Sequence, residues 1–342
     1  MKLRKMMMLG LAGALTLSLA ACGGGTTAES KAPEASAPAQ TQAADPAPAG
    51  DKYVVGVCQL APHPALDAAT QGFKDALNKL LPGQVDIQEK NAAGDTPTCA
   101  TIINGFVSNN VDLIMANATA PLQAAASATD TIPVLGTSIT EYGVALGIEN
   151  FSGTVGSNVS GTSDLAPLDQ QAQMIKEWYP DATDIGLIYC SAEPNSQYQV
   201  DNVQKYLEDM GYTCEQYPFS DTNDMASVVQ NAVSNSDVLY VPTDNTAANN
   251  TGIIDNICRG VIPVFAGEEG ICGGCGVATL SISYYDIGYK TGEMAADILA
   301  NGADVSAMAI EYAPQFVKKY NPATCEALGL TAPEGYEAIV VE

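Results

Sequence analysis

Nine cysteines, one histidine and thirty-nine acidic residues are the groups of this 342-residue chain with the chemistry to act on or hold another molecule. His63, the single histidine, precedes Pro64 and reads as a turn or capping residue rather than a general base. Cys272 and Cys275 have the CxxC spacing of a zinc half-site, but no second ligand pair accompanies them, so no metal is expected. The run Asp221-Thr222-Asn223-Asp224 lacks the glycine and distal glutamate of a calcium loop and reads as a turn and helix cap. Glu193, Asp244 and the pair Glu268-Glu269 could serve as acid and base of a hydrolase, yet no nucleophile–base pair stands out beside them. No cofactor motif is present, and binding is favoured over catalysis.

Those residues must be positioned by something, and the pattern around them is regular. Residues 53–57 are a short apolar run, the composition of a strand buried on both faces of a parallel sheet. A turn over 59–64 follows, and then Leu66, Ala69, Phe73, Ala76, Leu77 and Leu80 recur at helical spacing behind Pro64. Strand and helix signals alternate onward: strands at 85–88, 111–116 and 132–135, with helices at 99–107 and 121–128. A passage rich in Gly, Ser and Asn at 150–163 interrupts the series and sets a boundary near 153–161. A helix over 165–178 opens a second series, with strands at 185–189, 212–217, 238–241 and 261–265 and helices at 196–210, 225–235 and 247–258. Asp112-Leu113-Ile114 leading to Ile132-Pro133-Val134 is echoed by Asp237-Val238-Leu239 leading to Ile262-Pro263-Val264, which aligns Thr119 with Asp244. Two parallel α/β lobes follow, with loops at the carboxyl edges of their strands facing a ligand.

The first 22 residues have a basic start, an apolar stretch too short to span a bilayer, and Leu19-Ala20-Ala21-Cys22, which resembles the bacterial lipobox with Cys22 as the lipidated residue. Residues 23–50 are nearly all small or polar and read as a disordered tether. In an exported chain the eight later cysteines favour disulfides, and a Cys58–Cys99 bridge and a local Cys272–Cys275 bridge are expected. Removing 1–22 takes three basic residues from fourteen and leaves 11 − 39 = −28, which argues against nucleic acid as a partner.

Gln59-Leu60 with His63 to Ala68, Ala118-Thr119, Asn158 to Gly161, Tyr189 with Glu193 to Ser196, and Pro242 to Asn245 together resemble the substrate-binding lipoproteins of ABC importers of the tryptophan- and tyrosine-binding type. The resemblance implies two Rossmann-like lobes with parallel sheets in the type I periplasmic-binding-protein architecture, joined by a three-segment hinge. It places 51–155 with 283–315 in the first lobe and 156–282 with part of 316–342 in the second. It implies a cleft holding the ligand between Gln59, His63, Thr119, Ala120 and Thr137 on one side and Glu193, Asn195, Ser196, Asp244, Asn245 and Glu268 on the other, with Tyr284, Tyr285 or Tyr142 as an aromatic platform. An ABC permease as partner, a lipid anchor in the membrane and a monomeric state follow from the same resemblance.

The cations bear on the ligand. Arg259 and Lys74, Lys79, Lys176 and Lys205 fall late in or after their helices, away from the cleft, and Lys90 alone is expected near it. A ligand carboxylate would be held by helix N-termini and hydroxyls, and its ammonium by Glu193 or Asp244. An aromatic or large apolar L-amino acid fits; a sugar, a signalling role and a surface hydrolase remain as alternatives.

Overall fold

The computed structural model describes residues 52–340, so the expected signal segment, Cys22 and the tether lie outside the described residues. From the first residues onward the chain alternates strand and helix: β1 (Tyr53–Gln59), α1 (Pro64–Leu80), β2 (Val85–Asn91), α2 (Thr96–Ser108), β3 (Leu113–Asn117), α3 (Thr119–Ala128), β4 (Val134–Ile139), α4 (Tyr142–Leu146) and β5 (Val159–Ser163). A second series follows: α5 (Leu168–Trp178), β6 (Asp184–Cys190), α6 (Pro194–Asp209), β7 (Thr213–Phe219), α7 (Thr222–Asn235), β8 (Val238–Val241), α8 (Asn245–Ala248), α9 (Thr251–Cys258), β9 (Val264–Ala266), α10 (Glu269–Cys275) and β10 (Ala278–Ser281). The chain closes with α11 (Tyr284–Asn301), β11 (Glu311–Tyr312), β12 (Val317–Tyr320), α12 (Pro322–Leu328) and β13 (Glu337–Ala338).

The strands form two sheets, ordered β11-β5-β4-β3-β1-β2 and β13-β12-β10-β9-β8-β6-β7. The first is parallel throughout, and the second is parallel except where β12 runs against β10. Their central strands are apolar on both faces because helices cover both sides. Val159–Ser163, expected beyond the lobe boundary, pairs with β4 as β5, so the chain leaves the first sheet only after Ser163. It returns between Ser281 and Tyr284 and crosses again between Tyr312 and Val317, giving three crossovers.

α1 and α11 pack with their backbones in near contact. A Cβ on Gly288 would stand 2.0 Å from the Ala69 carbonyl oxygen, and one on Gly72 would stand 2.1 Å from that of Tyr285. Glycine at these places lets α11 carry Tyr284, its first residue, to the cleft.

Three local expectations are corrected. The helix expected over 247–258 breaks at 249–250 into α8 and α9. The Cys-Gly-Gly-Cys stretch is the second half of α10, where the expected local bridge is absent: both thiols are free, and Cys275 Sγ lies 3.3 Å from the Ile271 carbonyl. Cys58 and Cys99 are neighbours in the first core, as their positions suggested, but both are free thiols.

Candidate functional site

The loops that follow β1, β4, β6, β8 and β9 meet between the lobes around a cavity of about 10 Å³. His63, Ser138, Thr140 and Asp164 reach it from the first lobe and its crossover; Asn195, Thr243, Asp244, Asn245 and Glu268 reach it from the second, and Tyr284 from the hinge end of α11. Two wider cavities adjoin it. One of about 360 Å³ is polar and includes Thr119, Ala120, Glu193 and Asn195. The other, about 740 Å³, has an apolar wall of Ala65, Ala68, Ala248, Ile282, Tyr284 and Tyr285, and shares Glu268 with the small cavity.

Hydrogen bonds across the lobes are few: His63 Nε2 stands 3.4 Å from Asn245 Oδ1, and Gln199 Nε2 stands 3.5 Å from Thr140 Oγ1. Asn245 Nδ2 donates to Glu193 at 2.7 Å, which fixes Oδ1 as an acceptor and makes His63 Nε2 the donor. The neutral ring then presents Nδ1 as a lone pair. Burial lowers the His63 pKa against the raising effects of Asn245, Asp67 and Glu193, so the neutral form is favoured.

Four buried side chains around the small cavity each keep one polar atom without a partner among the described residues: His63 Nδ1, Ser138 Oγ, Asp164 Oδ1 and Asn195 Oδ1. Asn195 Nδ2 has Glu193, Ser196 and the Thr243 carbonyl within reach of its two hydrogens, so its free oxygen is an acceptor. Burying polar atoms without partners is costly, and three acceptors beside a hydroxyl that can also accept describe a demand for hydrogen-bond donors. No lysine or arginine lines this cavity among the described residues.

The carboxylates differ in how they are held. Glu193 accepts from the backbone N–H groups of Asn245 (3.0 Å) and Thr246 (2.8 Å). Asp244 accepts from Cys190 N (2.7 Å) and, as N-cap of α8, from Ala247 N (2.8 Å). Glu268 caps α10 by accepting from Gly270 N at 2.6 Å and from Ile271 N. Asp164 accepts from the Tyr284 hydroxyl at 3.0 Å through Oδ2. Burial pushes Asp244 and Glu268 up to about 7, Asp244 further through Glu193, and pushes Asp164 up to about 6 against its Tyr284 and Thr140 hydroxyl neighbours.

Of the residues expected at the site, His63, Asn195, Asp244, Asn245, Glu268 and Tyr284 border the small cavity, and Thr119, Ala120 and Glu193 the polar one. Three are elsewhere. Gln59 donates to Ala61 O and Asp67 and accepts from Thr70, all inside the first lobe. Thr137 is in a buried hydroxyl chain with Thr162 (3.1 Å), which continues to Thr291 (2.9 Å). Ser196 is fully buried beneath Asn195. Tyr142 is buried against Phe151 and donates to the Thr162 carbonyl, away from the cavities. Lys90 is exposed on the edge strand β2, whereas Lys319, which was not singled out, lines the apolar cavity and pairs with Glu269 at 2.5 Å. Arg259 pairs with Asp255 outside the cavities.

Ser138, Thr140, Thr243 and Asp164 were missed. Ser138 and Thr140 follow Thr137 along the end of β4, where Ser138 takes φ 55° and turns out of the strand pattern. Asp164 directly follows a strand of small residues, and an acid at such a place is the signal that could have found it.

A model of the family described as ABC transporter substrate binding protein matches residues 54–340. A tyrosine-binding protein of Clostridioides difficile (strain R20291) is 36% identical over 249 residues, 72% of each chain. An ABC domain from Streptococcus pneumonia in complex with L-Trp superposes with a TM-score of 0.80 at 31% identity, covering 84% of this chain and 100% of that one. A ligand-free, open substrate-binding protein with adhesive properties from Clostridium difficile gives 0.66 at 36% identity, covering 85% of this chain and 100% of that one. The superposition is thus tighter on the L-Trp complex than on the ligand-free, open protein, although the latter has the higher sequence identity.

Proposed function

Because the chain belongs to the ABC transporter substrate binding protein family, whose members bind solutes outside the cytoplasm for a membrane permease, we propose that its own cargo is an aromatic or large apolar L-amino acid. The observation that carries this reading is the small cavity with three unpartnered acceptors and one unpartnered hydroxyl, and with no lysine or arginine lining it among the described residues. An ammonium group is about the size of one water and brings three donors, which suits that demand. The carboxylate would extend into the polar cavity, where α3 begins at Thr119 and Ala120 behind an N-cap, Ala118, that offers no side chain to the first N–H groups. The apolar side chain would take the other direction, against Ala65, Ala68, Ile282 and Tyr284. A tyrosine-binding relative and an L-Trp-bound structural neighbour support the same class.

Hydrolysis is less well supported, since both oxygens of Glu193, Asp244 and Glu268 are engaged by backbone N–H groups, which ties these acids to capping helices. Lipidation at Cys22 would hold the monomer at the outer face of the membrane, beside its permease. Calorimetric titration across amino acids, sugars and nucleosides tests the ligand. L-Tryptophan, L-tyrosine or L-phenylalanine should bind one to one and be recovered unchanged; a sugar or nucleoside as best ligand would overturn the reading.

A further inference from the structure

We infer that Asp164, on the crossover between the lobes, is the residue that holds the ligand's ammonium, and that it ties ligand capture to the hinge. This deepens the amino-acid reading above and rests on it. The cavity offers four carboxylates nearby, and charge alone would not choose among them. Their hydrogen bonds do. Glu193 and Asp244 accept on both oxygens from backbone N–H groups of the second lobe, and Glu268 accepts on both from the first turn of α10. Drawing any of these toward a ligand would uncap a helix. Asp164 is 4% exposed, and its Oδ1 has no partner among the described residues. The Thr140 hydroxyl lies close enough to this carboxyl to lower its pKa, and among the described residues no backbone N–H group of a neighbouring helix holds it.

The position adds a mechanical role. Asp164 directly follows β5, at the start of the first crossover, and the Tyr284 hydroxyl that donates to its Oδ2 starts α11, at the end of the second. Asn195 Oδ1 from the second lobe and Ser138 Oγ from the first complete three acceptors on three bodies of the molecule. An ammonium bonded to all three would be satisfied only when the lobes are closed, so ligand charge and hinge position become one equilibrium. A ligand without the ammonium would leave a buried carboxylate uncompensated and be rejected.

The titratable groups facing Asp164 are His63 from the start of α1, Tyr142 from α4, Asp244 and Glu268 ahead of α8 and α10, and Tyr284 from α11. None is a lysine or arginine, so the ligand supplies the neutralising charge.

The test is a cycle between ligand and residue, by calorimetry with two probe pairs: L-tryptophan with indole-3-propionate, and L-tyrosine with 3-(4-hydroxyphenyl)propionate. In the native protein, loss of the ammonium should weaken binding about 100-fold, and Asp164→Asn should weaken amino-acid binding by about as much. In Asp164→Asn the analogue should bind as well as the amino acid. Amino-acid binding that survives the substitution within about threefold would overturn the assignment while leaving the amino-acid reading intact. Native protein that binds neither amino acid would overturn both. Should Asp164→Asn not fold, the native protein still decides: amino-acid affinity should drop below about pH 6 more steeply than analogue affinity, and parallel profiles would sink the proposal.

Discussion

Two neighbouring positions on β4, Thr137 and Ser138, separate packing from binding at the scale of a residue. Thr137 belongs to the hydroxyl chain that joins β4 and β5 to α11, whereas Ser138 turns its hydroxyl out toward the cavity. Thr137→Ala should therefore lower stability by about 1–2 kcal/mol, because it leaves Thr162 short of a partner, and should leave ligand affinity unchanged. Ser138→Ala should do the reverse, with an unchanged unfolding midpoint and roughly tenfold weaker amino-acid binding. Denaturant titration and calorimetry on both variants check this, and equal effects of the two on affinity would contradict the assignment. Thr137 was readable as a polar residue at a strand's carboxyl end, but the pleat and the φ of 55° at Ser138, which decide which of two adjacent hydroxyls faces the ligand, were not.

At the scale of elements, the contact between α1 and α11 holds Tyr284 over the cavity, and its closeness depends on small residues. Gly288→Ala would drive a Cβ into the Ala69 carbonyl and push the helices apart, at a cost of about 3 kcal/mol or more. Amino-acid affinity should fall as well, since Tyr284 would move off Asp164. Gly105→Ala in α2, where a Cβ meets nothing within 4 Å, should instead stabilise by about 0.5–1 kcal/mol. Thermal unfolding of the two variants should move in opposite directions; a Gly288→Ala protein as stable as the parent would show that the helices can separate freely. The internal echo holds at this scale with a shift of one residue, as Ala118 and Asp244 are the N-caps of α3 and α8, so Thr119 matches Asn245.

For the whole molecule, the buried acids set an unusual pH response. Asp164, Asp244 and Glu268 are pushed up to about 6, 7 and 7, against unfolded values near 4. Between those limits the folded chain binds more protons than the unfolded one, so their contribution is present at low pH and is lost as pH rises through about 6–7. Ligand-free protein should thus melt at a lower temperature at about pH 7.5 than at about pH 5, and Asp244→Asn with Glu268→Gln should flatten that slope. Asp224 and Asp237, held below the usual carboxylate range by their hydrogen bonds, act only at lower pH, whereas His63, whose pKa burial lowers, opposes the acids over this interval as one group against three. A melting temperature that climbs over this interval would mean that the N–H groups around Asp244 and Glu268 outweigh their burial. Hinged closure adds one more outcome: X-ray scattering should show a smaller radius of gyration with amino acid than without, and an unchanged radius would remove closure from the mechanism.

Local order in the sequence was enough to determine the alternation of strands and helices, the twin lobes and the loops that face one another, because apolar periodicity and turn residues act over a few positions. His63, Asn195, Asp244, Asn245 and Glu268 were expected from the family resemblance, and each sits where a strand hands over to a helix. Folding alone decided which acids are occupied. Glu193 reaches backbone groups about fifty residues away and Asp244 reaches Cys190, while Asp164 meets Tyr284 across the hinge. A carboxylate's freedom to bind depends on partners that only tertiary packing delivers, and no spacing in the chain records them.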